Sequence, residues 1–118
     1  MAKKIDWIYF RKNCATCKKA EAFLSQIGWQ LGDQVVDSTK VRKDGAEAIK
    51  IVRSNVRLIV VKGKAVKSFK LGKDGPDDDE ILSLVMGPTG NLRSPTLRHG
   101  RTIVVGFSES AYQDALAS

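Results

Sequence analysis

Two cysteines, the whole complement of the chain, stand three residues apart in Cys14-Ala15-Thr16-Cys17. They fall where an apolar strand gives way to a helical pattern. A strand that delivers Cys-x-x-Cys to a helix start sets the first sulfur among unpaired backbone N–H groups, at the positive end of the helix dipole. That setting favours thiolate, the nucleophilic form. The second sulfur follows about one helical turn later, within reach of a small disulfide. The tetrapeptide thus offers a nucleophile in Cys14 and a resolving thiol in Cys17. Arg11, Lys12 and Lys18 are the nearby cations that would lower the Cys14 pKa further.

Two other readings of the pair stay open, a structural pair and a metal site. The cysteines are too close in sequence to staple a fold. Zinc takes four ligands as a rule, and two cysteines with the lone His99 fall short within one chain. No metal is expected, although a site shared between two chains would complete the set. His99 reads as a turn residue, and Trp7 and Trp29 as packing at element ends. The carboxylates at 77–80 suit a helix start, because consecutive side chains do not face one point.

The elements that must position this chemistry fit in one domain, residues 1–118. At 42% hydrophobic composition the chain can build a single core. No apolar run approaches the roughly 20 residues a spanning helix needs. Lys3 and Lys4 are followed by Asp6, Arg11 and Lys12, which interrupt any apolar signal region. A cytoplasmic location is therefore expected, under reducing conditions in which paired cysteines are catalytic or redox-sensing rather than structural. The formal charge of +7 is spread thinly over the chain. With no dense basic arm and little aromatic interleaving, solvated lysines are favoured over a nucleic-acid or acidic-partner surface.

The run 5–10 is short, apolar and aromatic, as a buried strand is. From Ala15 the period changes, with Ala20, Phe23, Leu24 and Ile27 on one helical face and Gly28 as the stop. Residues 34–37 form a second strand, and strand–helix–strand makes a right-handed parallel unit the default. A second helix is predicted over 46–55 after an Asp44–Gly45 turn, with Ile49 and Val52 inward. Residues 56–61 and 65–71 read as a hairpin around Lys62–Gly63. A polar loop leads to a helix carrying Ile81, Leu82 and Val85, ended by Gly87-Pro88. Then come Pro95, a strand over 96–98, a turn at His99–Gly100, a strand over 102–105 and a helix capped by Ser108. The skeleton is βαβ, a middle insertion, then ββα.

That skeleton, with the dithiol at its first strand–helix junction and Pro95 opening the later hairpin, resembles the thioredoxin fold, an α/β architecture around a central mixed sheet. Within that fold the chain is similar to the arsenate reductase family, which includes the Spx-type regulators. The likeness is carried by Tyr9, Cys14-Ala15-Thr16-Cys17-Lys18-Lys19-Ala20, Phe23-Leu24 and Asp37. It continues in Leu92-Arg93-Ser94-Pro95, Val105-Gly106-Phe107 and the last helix. The resemblance implies a cis Pro95 facing the dithiol, with backbone groups of Ser94 and Thr96 open to a bound peptide or glutathione. It implies an anion-binding arginine, for which Arg93 is the first candidate and Arg98 and Arg101 are weaker ones. In the family the arginine directly precedes the proline, whereas here Ser94 intervenes. The family's middle insertion is usually helical, whereas 56–71 here reads as a hairpin.

The function so implied is thiol–disulfide exchange that reduces a disulfide or an oxyanion such as arsenate. Its catalytic residues would be Cys14 and Cys17, with Arg11, Arg93, Ser94 and Pro95 at the substrate. No bound cofactor is implied; an external thiol donor, glutathione with glutaredoxin or thioredoxin, would return the electrons. The alternative is an Spx-like redox sensor in which the dithiol toggles affinity for a partner such as RNA polymerase.

Overall fold

The structure, a computed structural model, describes residues 3–11, 14–32, 34–88 and 90–117. The elements run β1 (Lys3–Ile5), β2 (Trp7–Phe10), α1 (Ala15–Gln26), β3 (Trp29–Leu31), β4 (Val35–Asp37) and α2 (Gly45–Arg53). They continue with β5 (Arg57–Lys62), β6 (Ala65–Lys70), α3 (Asp78–Val85), β7 (Thr96–His99), β8 (Thr102–Val105) and α4 (Glu109–Ala117). Six strands form one mixed sheet in the order β4-β2-β7-β8-β5-β6. β4 lies parallel to β2 and β5 parallel to β8. β7 runs antiparallel to β2 and to β8, and β6 antiparallel to β5.

Helices cover both faces of this sheet, so β8 and the middle of β5 are buried on both sides. Leu58-Ile59-Val60-Val61 and Ile103-Val104-Val105 therefore read as unbroken apolar runs rather than alternating ones. Ile59, Val61 and Val104 join Ala20, Phe23, Leu24, Tyr112 and Ala115 from α1 and α4. Leu58, Val60, Ile103 and Val105 join Ala48, Val52, Ile81 and Val85 from α2 and α3. Asp44 and Asp77 cap α2 and α3, each accepting a backbone N–H with its carboxylate. Among the described residues, no helix is long and apolar enough to cross a membrane.

The predicted strand over 5–10 is broken at Asp6. Its carboxylate accepts the Gly100 N–H at 2.6 Å, and its own N–H donates to the Arg98 carbonyl. The bend splits the run between two partners: β1 pairs with β3, a strand the sequence pattern missed, while β2 enters the main sheet. Close packing around β1 leaves Gly32 no room for a side chain, since a Cβ there would fall 2.3 Å from the Ile5 carbonyl oxygen. Smaller shifts follow the local hydrogen bonds. Asp44 caps α2 instead of turning, Lys62 pairs within β5, and His99 ends β7 while Gly100 and Arg101 turn. The ββα unit over 96–117 and the 56–71 hairpin stand as expected.

Candidate active site

Cys14 is the N-cap of α1. Its backbone is extended, its carbonyl accepts the first helical bond from the Lys18 N–H, and its Sγ accepts the Cys17 N–H at 3.3 Å. A sulfur thus occupies the place where Ser or Asp ordinarily satisfies a free helix N–H. The strand before it fixes the approach: Phe10 pairs with Asp37, and the Ser38 N–H reaches the Phe10 carbonyl at 2.9 Å. Asp37 then holds Thr39 through both its N–H and its hydroxyl. Ser38 and Thr39 are thereby set beside the thiol.

The opposite wall is the segment entering β7. The Ser94–Pro95 bond is cis, and the Ser94 carbonyl stands 3.9 Å from Cys14 Sγ, within reach of the thiol S–H. Three bonds clamp this segment: Thr96 Oγ1 to the Arg93 carbonyl, the Gly106 N–H to the Pro95 carbonyl, and the Arg93 N–H to the Val85 carbonyl. Thr96 departs from expectation. It is buried and paired with both Tyr9 and Val105, so its backbone is spent within the sheet.

A cleft of about 520 Å³ opens between these walls, lined by Arg11, Cys14, Ser38, Thr39, Arg93 and Ser94, with Gly87, Pro88, Asn91 and Leu92 at its end. Asn91 shapes that end from behind. Its Oδ1 accepts the Lys43 N–H at 2.6 Å and lies 3.0 Å from the buried Tyr9 hydroxyl. Ser38, Thr39 and Asn91 were not singled out from the sequence. The Asp-Ser-Thr step after a strand was the local signal for the first two; nothing local marked Asn91.

Both cysteines are free thiols, Cys17 buried and Cys14 partly exposed. Burial pushes the Cys14 pKa up, but the N–H groups of Cys17 and Thr16, the Cys17 thiol and the Arg11 charge outweigh it, leaving Cys14 below its ordinary value. Burial pushes Cys17 up to about 12, and the neighbouring Cys14 sulfur adds to the rise. Beneath Cys17 lies Tyr112, whose hydroxyl donates to the Gly106 carbonyl at 3.2 Å and whose ring packs edge-on against Phe107. Alkylation therefore separates the two thiols. The rate for Cys14 should reach half its plateau below pH 9, whereas Cys17 stays protonated until about pH 12. Iodoacetamide labelling followed by mass spectrometry across pH checks this. Equal titration of both sulfurs would contradict it.

The candidate cations divide sharply. Arg11 lines the cleft and its charge is felt at Cys14. Lys12 lies outside the described residues, and Lys18 is exposed on α1. Arg93 also lines the cleft, yet its guanidinium donates to the Val61 carbonyl at 2.8 Å and the Leu84 carbonyl at 3.3 Å. Half-burial lowers its pKa. Arg98 pairs with Trp7 at the start of β2, whereas Cys14 follows the end of that strand. Arg101 lies in the next turn, its carbonyl accepting the Val56 and Arg57 N–H groups. Neither faces the thiol. His99 shares their end of the sheet, against Trp29 and 3.8 Å from Asp6. Among the described residues, no three His, Cys, Asp or Glu side chains gather as metal ligands do.

Comparison with known proteins bears on this geometry. Residues 9–115 match the ArsC family. The solved structure of a YffB protein aligns with a TM-score of 0.52 at 23% identity, covering 92% of this chain and 96% of that one. At that identity the likeness shows the fold, which is thioredoxin-like. No match was found among curated proteins.

Proposed function

Because the chain belongs to the ArsC family, we propose that it is a thiol–disulfide oxidoreductase whose Cys14–Cys17 dithiol reduces a disulfide bond. The observation that carries this reading is the split between the two sulfurs. Cys14 caps a helix, is partly exposed and has a lowered pKa, while Cys17 is buried behind it and raised to about 12. One sulfur is biased toward the attacking thiolate and the other is held back until needed.

The Cys14 thiolate attacks one sulfur of the substrate. The substrate S–S bond breaks, a Cys14–substrate disulfide forms, and the departing thiolate takes a proton from water. Cys17 gives up its proton as it attacks Cys14 Sγ; the Cys14–Cys17 bond forms and the second substrate thiolate leaves and is protonated. Two electrons and two protons have then passed from protein to substrate. Two external thiols, from glutathione with glutaredoxin or from thioredoxin, restore the dithiol and become a disulfide themselves. Ser94 lines the cleft and forms the wall against which the substrate sulfur lies, whereas Pro95 is buried, and the Arg11 charge favours each thiolate that forms beside it.

A disulfide is favoured over an oxyanion because two N–H groups of Arg93 already serve backbone carbonyls. A tetrahedral oxyanion held beside Cys14 gains most from several converging guanidinium forks. The test is turnover of bis(2-hydroxyethyl) disulfide and of arsenate, each with glutathione plus glutaredoxin and with thioredoxin. Disulfide turnover should exceed arsenate turnover by an order of magnitude or more. Faster arsenate turnover would reverse the substrate assignment. No turnover with any donor would overturn the enzyme reading in favour of a redox-sensing regulator.

A further inference from the structure

A second hollow, of about 380 Å³, adjoins the cleft at Cys14. Thr16 and Lys19 of α1 form one side, Val61 and Gly63 of the β5–β6 hairpin the other, and Phe107 is part of the lining. The two hollows share Arg93 and Ser94. They therefore meet at the residue whose carbonyl lies 3.9 Å from the Cys14 sulfur. Together they give far more room than one tetrahedral oxyanion fills, and the room continues past Ser94 to the β5–β6 hairpin.

Among the described residues the charge of this lining has one sign. No carboxylate among them lines either hollow, whereas Arg11 and Arg93 line the first and Lys19 and Arg93 the second. Lys62 and Lys64, both exposed, flank Gly63 at the hairpin tip. Phe107, half-buried, adds an apolar side chain between these cations. A ligand that fills such a surface is extended, carries carboxylates beside its reacting sulfur and has apolar side chains between them. We propose that the dithiol acts on the disulfide of an acidic polypeptide segment, laid across Cys14 from the Arg11 cleft to the hairpin hollow.

This assignment rests on the thiol–disulfide reading and adds the class of substrate. Two electrons and two protons pass from Cys14 and Cys17 to the cystine of the peptide, by the exchange given above. Electrostatic attraction would act mainly on encounter and would weaken with salt.

The test uses the reduced full-length chain in single turnovers. Its substrates are two synthetic cystine peptides of equal length, one with glutamates and one with lysines flanking the cystine, and bis(2-hydroxyethyl) disulfide. At low salt the glutamate peptide should react at least about tenfold faster than its lysine twin. That ratio is about 1.4 kcal/mol in barrier. It should shrink toward one at about 0.5 M salt, where screening acts over a few Å. Lys19→Glu should lower the ratio severalfold, and Lys64→Glu, on the hairpin tip, provides a second variant on a different element. Using a ratio cancels any change in the reactivity of Cys14 itself. Equal rates for the two peptides, or a ratio that neither variant moves, would overturn the polypeptide assignment while leaving the oxidoreductase reading intact. Failure to reduce even the small disulfide would defeat both.

Discussion

Cys14→Ser should abolish disulfide reduction, while Cys17→Ser should stall it halfway. A serine hydroxyl at the N-cap still accepts the Cys17 N–H, so the helix start is kept. It supplies no thiolate, and the loss should be roughly three orders of magnitude or more. In Cys17→Ser the first exchange remains, because the lowered pKa of Cys14 owes much to backbone N–H groups and to Arg11. One equivalent of product thiol should appear in a burst, and mass spectrometry should find the other half of the substrate on Cys14. Cys17 is fully buried, so a hydroxyl there costs about 1–3 kcal/mol unless it finds a partner. Cys17→Ala, which keeps an apolar site, separates that cost from the chemistry and should give the same burst. Steady turnover by both Cys17 variants would mean that an external thiol, not Cys17, resolves the adduct. Turnover by Cys14→Ser would remove Cys14 from the mechanism altogether.

What the sequence revealed and what it hid divide along the range of the forces involved. The capping of α1 by Cys14 is a local event, settled by a strand, two cysteines and an apolar helical stripe within about 25 residues of chain, and it was legible. So were β8 and α4, where an unbroken Val/Ile run and a 3.6-residue period leave little choice. The break at Asp6 was hidden because the N–H its carboxylate accepts belongs to Gly100, at the far end of the chain. Arg93 shows the same limit in the site itself. Its place beside Cys14 could be read from the Arg-Ser-Pro run, but its direction depends on the carbonyls of Val61 and Leu84, which only the packed hairpin and α3 bring within reach. The cis geometry at Pro95 was expected through resemblance alone, since a proline by itself favours trans.

The same long-range knot makes Gly106 a position where a small change should do structural damage beside the site. Its φ is +96°, and a Cβ there would lie 2.9 Å from the Val61 carbonyl oxygen, 3.1 Å from Val61 Cβ and 3.3 Å from the Arg93 guanidinium. Its N–H holds the Pro95 carbonyl and its own carbonyl accepts the Tyr112 hydroxyl. Gly106→Val therefore meets two costs. A β-branched residue at this φ loses about 1–3 kcal/mol in backbone strain, and crowding against Val61 adds a similar amount. A fall in unfolding free energy of about 2–6 kcal/mol should follow, with Gly106→Ala at the lower end. Urea titration measures it. The clash should also push Arg93 off the Val61 carbonyl and loosen the neighbouring Ser94 wall, so alkylation of Cys14 in the folded variant should change in rate. Arg93→Lys, which keeps the charge but not the fork, distinguishes the causes. If it reproduces the alkylation change without the loss of stability, the guanidinium is what aligns Ser94 with the thiol. If Gly106→Val unfolds at the same urea concentration as the parent protein, the close approach of Val61 to Gly106 is not a constraint on the fold.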